Sequence, residues 1–268
     1  MNERKNHSRR NFLGLSTIPV AAAISTIFPE YRTPKEVDLS RYRKFTVAHN
    51  AAINPTTLHE AMESEVNFIE VDLTIVDGKL VVAHTPAEYL RLTKDQQSKQ
   101  DPKYVIEKIV SSGKKIMWDI KDEILSLEQL TDIAKYIEEL PNSMASSNNH
   151  TLLSDLQKIG KYRGRVLYSI GNEMACSAFL EASKGRNLAS ENAGVSIRHS
   201  LLKDDVPNRL QTINATIAAW NPETSVDIAN AAIAGAQIIT SGKIDLLVQL
   251  GKPDLSAMPS VPQSPVQE

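Results

Sequence analysis

Short apolar runs alternate along most of the chain with stretches whose apolar residues recur at helical spacing. The runs Phe45–His49, Phe68–Val76, Lys79–His84, Lys115–Ile120, Arg165–Ile170, Gly194–Ile197, Thr212–Ala219 and Gln237–Thr240 predict strands. Helices are predicted between them. Thr57–Glu65 follows Pro55, which suits a helix start. Over Leu125–Glu139 the apolar residues Leu127, Leu130, Ile133 and Ile137 recur at helix spacing, and Leu140 follows. Pro222–Ala236 opens with Pro-Glu and is rich in alanine. Strands alternating with helices predict parallel strands joined by crossovers. Eight units with short linkers fit an α/β fold of the TIM-type (β/α)8 barrel. Asp77-Gly78 predicts a tight hairpin turn within the second unit. The Ser/Asn-rich stretch Asn142–Asn149, after Pro141, predicts a surface loop.

Composition narrows the class. The chain has 268 residues, 41% hydrophobic and 23% charged, which is globular and not disordered. Residues 38–250 are expected to form the barrel, and the Pro/Ser-rich residues 251–268 a flexible tail. The N-terminus reads as an address. Ser8-Arg9-Arg10-Asn11-Phe12-Leu13 precedes an apolar run and the small residues Ala21-Ala22-Ala23. Those parts make residues 1–28 similar to a twin-arginine signal, implying export to the periplasm or beyond, with an uncleaved membrane anchor as the variant reading. The first 24 residues sum to +3 and the whole chain to -2, so the remainder carries -5. A mildly acidic body gives no support to nucleic-acid binding. Cys176 is the single cysteine, which excludes an intramolecular disulfide and a cysteine-built zinc site. Its apolar neighbours predict a small buried hydrophobe.

The chemistry gathers at strand ends. In Ile69-Glu70-Val71-Asp72-Leu73-Thr74-Ile75, alternation places Glu70, Asp72 and Thr74 on one face. A solvent-facing polar stripe would explain this in an open sheet. In a parallel barrel the apolar face meets the helices, so both carboxylates point inward, where they repel each other and lose hydration. Such a pair needs a cation or a proton. Asp119 and Lys121 share a face at the end of another run, and Phe45–His49 and Lys79–His84 each end in a histidine. Four runs ending in ionisable residues predict a site on the C-terminal rim. Glu70, Asp72 and Asp119 form an oxygen-rich set suited to a hard divalent cation, Mg²⁺ first, with Ca²⁺ or Mn²⁺ as alternatives. His49 and His84 can then move protons at a phosphate, and Lys121 can offset its charge.

At these residues the chain resembles the glycerophosphodiester phosphodiesterase superfamily. That family carries a histidine after the first strand, Glu-x-Asp on the second, a second histidine shortly after, and acid-x-Lys on the third. The matching residues are His49, Glu70 with Asp72, His84, and Asp119 with Lys121. The last unit, with Trp220, an alanine-rich helix, Gly235 and Ile238-Ile239-Thr240, is also similar. The resemblance spans roughly residues 43–245 and is weak over 145–210. It implies catalytic roles for His49 and His84, metal ligation by Glu70, Asp72 and Asp119, and substrate or phosphate binding by Lys121, Asn50 and Trp220.

The departures point to a branch. His49-Asn50-Ala51 stands where many members have His-Arg-Gly, and Asn54-Pro55-Thr56-Thr57 lacks the metal-binding Glu of Pro-Glu-Asn-Thr. Asp119 in place of Glu, and Ala48-His49-Asn50-Ala51-Ala52-Ile53, are nearer the sphingomyelinase D branch, whose loop disulfide cannot form here. The resemblance implies a glycerophosphodiester or phospholipid substrate, peripheral membrane contact, no nucleic-acid partner and no obligate protein partner. Attack by a substrate hydroxyl, leaving a cyclic phosphate, is the branch's variant of hydrolysis. Two rival readings stand beside this one: a phosphatidylinositol phospholipase C-type barrel, some of which need no metal, and a catalytically idle exported binding protein.

Overall fold

The computed structural model describes residues 37–121, 127–138, 140, 143–159, 162 and 164–253. The expected signal over 1–28, and the tail after residue 253, lie outside them.

In chain order the elements are β1 (Phe45–Ala48), α1 (Pro55–Glu63), β2 (Phe68–Val76), β3 (Lys79–Val82), α2 (Pro86–Leu90), α3 (Lys94–Ser98), α4 (Pro102–Ser111), β4 (Lys115–Ile120), α5 (Leu127–Glu138), β5 (Met144–Ser147), α6 (His150–Lys158), β6 (Arg165–Ile170), α7 (Glu173–Ala182), β7 (Ala193–Arg198), α8 (Val206–Thr212), β8 (Thr216–Trp220), α9 (Ser225–Ile233), β9 (Ile238–Ser241) and α10 (Ile244–Leu247). The sheet runs β1-β9-β8-β7-β6-β5-β4-β2, and β1 pairs with β2 in parallel, which closes the ring. All barrel pairings are parallel, and β3 joins β2 antiparallel as an added ribbon. The expected (β/α)8 barrel is therefore present.

Helix starts follow their local chemistry. Pro55 opens α1 behind Asn54, whose side chain accepts from Thr56 N–H at 2.8 Å. Thr224 and Asp227 form a reciprocal capping box, so α9 begins at Ser225 and not at Pro222. Within α5, Leu130 and Ile133 are buried, as their spacing predicts. Cys176 is buried on α7, and burial pushes its thiol up, in keeping with a packing role.

Two strand expectations need correction. The surface loop expected over Asn142–Asn149 is overturned at Met144–Ser147, which is the buried barrel strand β5; Asn142 lies outside the described residues. Met-Ala-Ser-Ser has little strand propensity, and its place in the sheet comes from tertiary pairing between β4 and β6. Its hydroxyls are satisfied, since Ser147 Oγ donates to Ile120 O at 2.7 Å and Ser146 Oγ to Asp119 Oδ1 at 3.0 Å. The run that begins at Lys79 forms β3, the hairpin return that Asp77-Gly78 predicts, and lies outside the eight-strand ring. The other correction concerns Thr212, which ends helix α8; a left-handed Asn214 (φ 50°) turns the chain into β8 at Thr216.

Two cores result. The larger lies between strands and helices and contains Ile69, Val71, Leu73, Ile116, Trp118 and Ile120. The smaller fills the lower barrel with Phe45, Val47, Phe68, Met117, Met144, Leu167, Ala218 and Ile238. Glu70 and Asp72 continue the inward face that Phe68 begins, and Asp119 continues that of Met117. The barrel interior thus changes from apolar to ionisable within one or two pleats. Among the described residues, no helix is long and apolar enough to cross a membrane.

Candidate metal centre and active site

The two inward carboxylates of β2 are deeply buried, Glu70 at 4% exposure and Asp72 at 0%. Register places Asp119 directly beside Asp72 on the neighbouring strand β4. Ligand oxygens of Glu70, Asp72 and Asp119 all lie within 4.8 Å of one another. Burial first, then the Asp72 and Asp119 carboxylates, push Glu70 well above the usual carboxylate range. Burial also raises Asp72, against the lowering effect of Lys121. Lys121 is ion-paired with both Asp72 and Asp119. Burial opposes its charge, but the two aspartates outweigh burial and hold the ammonium above the ordinary lysine range.

These residues fit a divalent cation. Asp72 Oδ2 has no hydrogen-bond partner among the described residues, and Asp72 Oδ1 has only the Lys121 ammonium beside it. A fully buried carboxylate so poorly served, with two more carboxylates at hand, is what an oxygen-ligated cation would satisfy.

The histidines arrive by different routes. His49 follows β1, and its Nε2 lies 3.5 Å from Glu70 Oε2. Burial pushes its imidazolium down to about 4, Asp119 partly opposing and Lys121 and His84 adding to the fall. The next residue, Asn50, is left-handed (φ 55°), a conformation that asparagine tolerates. This bend aims the Asn50 N–H at Glu70 Oε2, 2.8 Å away, and sets Asn50 Nδ2 3.4 Å from His49 Nδ1. His84 depends on the ribbon. Strand β2 runs on to Val76, Asp77 and Gly78 turn with positive φ, and β3 pairs Val82 with Leu73 on its way back. Ala83 N–H then reaches Asp72 O at 3.1 Å, which brings His84 down to the rim.

A cavity of about 190 Å³ at the C-terminal mouth is lined by His49, Glu70, His84, Asp119, Lys121 and Trp220. Asp72 lies beneath it, buried against Lys121. Asn50 stands behind His49 and Glu70 and is not part of the lining.

Ser146, Ser169, Ser196, Asn221 and Thr240 also line the cavity, and sequence reasoning did not single them out. A signal was available for most of them. Ser146, Ser169, Ser196 and Thr240 stand two residues after Met144, Leu167, Gly194 and Ile238, so each repeats the inward change from non-polar to polar.

Fold and site together define a closed parallel barrel with an oxygen-rich, carboxylate-lined cup at its C-terminal mouth. No protein-family model matches the chain, and no curated protein matches it. Solved structures do. An Oleispira antarctica phosphodiesterase in complex with the product sn-glycerol-3-phosphate is 18% identical with a TM-score of 0.59, covering 78% of this chain and 97% of that one. The glycerophosphodiester phosphodiesterase of Thermotoga maritima is 17% identical with a TM-score of 0.58, over 77% and 98% of the two chains. That of Agrobacterium tumefaciens str. C58 is 13% identical with a TM-score of 0.53, over 76% and 99%. At these identities the likeness is one of fold, shared with a phosphodiesterase and two glycerophosphodiester phosphodiesterases.

Proposed function

We propose that the protein is a metal-dependent phosphodiesterase that cleaves a glycerophosphodiester or a phospholipid head group. One observation carries the reading: three carboxylates converge within 4.8 Å, with His49 and His84 on the same cavity. Glu70, Asp72 and Asp119 would hold the cation, Mg²⁺ first. A bound divalent cation supplies charge neutralisation at the phosphate oxygens. His49 and His84 share the proton transfers, one taking a proton from the attacking group and the other giving one to the leaving oxygen. Lys121 is engaged by Asp72 and Asp119; when a cation takes those carboxylates, the ammonium is free to meet the phosphate. Asn50 fixes Glu70 and His49, and Trp220 forms a side wall.

Asp119 in the third-strand position supports the branch in which a substrate hydroxyl attacks and a cyclic phosphate forms. Arg9-Arg10 and the apolar run after them support export by the twin-arginine route. A second reading draws on Lys121 itself. Its ammonium already bridges two of the carboxylates and offsets part of their charge, the place a cation would take, which favours a metal-independent barrel of the phosphatidylinositol phospholipase C type.

A phosphorus NMR screen against glycerophosphodiesters, lysophospholipids and sphingomyelin, with and without EDTA, tests the proposal. Turnover that EDTA abolishes is the expected result, and a cyclic product would identify the branch. Turnover indifferent to EDTA would favour the metal-free reading. No turnover of any diester would leave a binding protein.

A further inference from the structure

The cavity wall opposite the carboxylates is neutral and unsatisfied. Trp220 Nε1 and Thr240 Oγ1 are buried and have no hydrogen-bond partner among the described residues, and both residues line the cavity. Above them stands one strong charge. Arg198 follows Ser196 by two residues on β7, which gives it the same inward face one step nearer the mouth. Register pairs it with Trp220, and its Cζ lies 6.0 Å from the centroid of the indole ring. No carboxylate among the described residues forms an ion pair with Arg198. Two acids that open the helices after β6 and β8 are engaged elsewhere: Glu173 with Lys203 at 3.0 Å, and Asp227 in the Thr224 cap with His199 at 3.8 Å.

An exposed arginine usually has water for a partner. This one lies over the indole of Trp220, a residue of the cavity wall, and Trp220 and Thr240 on that wall each carry an orphaned polar atom. A planar guanidinium held over an aromatic face is oriented to accept a bidentate anion. It also repels a cationic group brought to the same wall.

We propose that Arg198 is a specificity-determining residue that reads an anionic group, carboxylate or phosphate, on the head group of the substrate. The inference rests on the phosphodiesterase reading. It makes a quaternary-ammonium head group the poor substrate and a head group with its own negative charge the good one. Trp220 Nε1 and Thr240 Oγ1 lie on the same wall as the head group and supply polar contacts to it.

Matched substrates isolate the effect. Glycerophosphoserine and glycerophosphoethanolamine differ by one carboxylate; glycerophosphoglycerol with and without a terminal phosphate differs by one phosphate. With Mg²⁺ present, kcat/KM should favour the anionic member of at least one pair by about tenfold, the scale of a charge-assisted hydrogen bond discounted for exposure. Which pair responds tells carboxylate from phosphate. Arg198→Gln should bring the ratio close to one, and Arg198→Lys should keep part of it. Ratios near one in the wild type, or a ratio that survives Arg198→Gln, would overturn the proposal. Absence of turnover on all four diesters would instead overturn the phosphodiesterase reading. Calorimetric titration with phosphoserine and phosphoethanolamine then still decides Arg198: tighter phosphoserine binding lost in Arg198→Gln supports it, and equal affinities contradict it.

Discussion

The barrel interior has two halves built from the same strands. In the lower half Phe68, Met117, Met144, Leu167 and Ile238 fill the space with carbon. Two residues further along those five strands stand Glu70, Asp119, Ser146, Ser169 and Thr240. The lower half gains stability from burial, because apolar groups leave water and meet close-packed neighbours. The upper half gives stability up. Its carboxylates are buried beside one another, and Glu70 and Asp72 are pushed above their usual range. One pleat separates a region that holds the barrel closed from one that the barrel must hold in place.

The sharpest way to break this comparison is Asp72→Asn, which keeps size and removes one charge. Activity should fall by orders of magnitude and recover partly at high Mg²⁺, while the metal-free protein becomes more stable. The pH dependence gives the sign. Burial raises the Asp72 carboxyl, so the folded state favours its protonated form, and ionisation costs stability as pH rises through the ordinary aspartate range. The stability gain of Asp72→Asn over metal-free wild type should therefore grow from pH 4 to pH 7 in thermal melts. A gain that shrinks over that range would contradict the account.

His49→Ala and His84→Ala come next, each lowering kcat by about 10²–10⁴-fold with Mg²⁺ affinity near wild type. Their double variant should lose less than the product of the two, as groups acting together do. Loss of metal binding in His49→Ala would make it a ligand.

In the lower half the expected effect changes kind. Met117→Ala should cost about 2–5 kcal/mol of stability by denaturant unfolding and leave kcat of the folded protein close to wild type. The smallest effect is at the bend just past the end of β1. Asn50→Ala should cost about 1 kcal/mol, because alanine resists the left-handed backbone that aims the Asn50 N–H at Glu70.

The same contrast explains what the sequence revealed. The site strands β2 and β4 were legible because Ile69, Val71 and Leu73 face the helices while Glu70 and Asp72 face inward, so alternation exposed the carboxylates. The hairpin that returns His84 to the rim was legible in Asp77-Gly78. Strand β5 was not. Met-Ala-Ser-Ser carries no strand signal of its own, and its partners on β4 and β6 are distant in sequence. The serine wall was missed with it, since an isolated serine resembles a loop residue until register sets it beside Asp119. Lys121 was expected at the phosphate, and only the structure shows it engaged with Asp72 and Asp119.

The central claim is that the upper half holds a divalent cation on Glu70, Asp72 and Asp119. Crystals grown with Mn²⁺ and measured for anomalous scattering test it directly. The account predicts one strong peak at the barrel mouth, about 2.0–2.6 Å from oxygens of all three carboxylates, with Lys121 displaced from Asp72. No peak at millimolar Mn²⁺, with Lys121 still bridging the two aspartates, would contradict it.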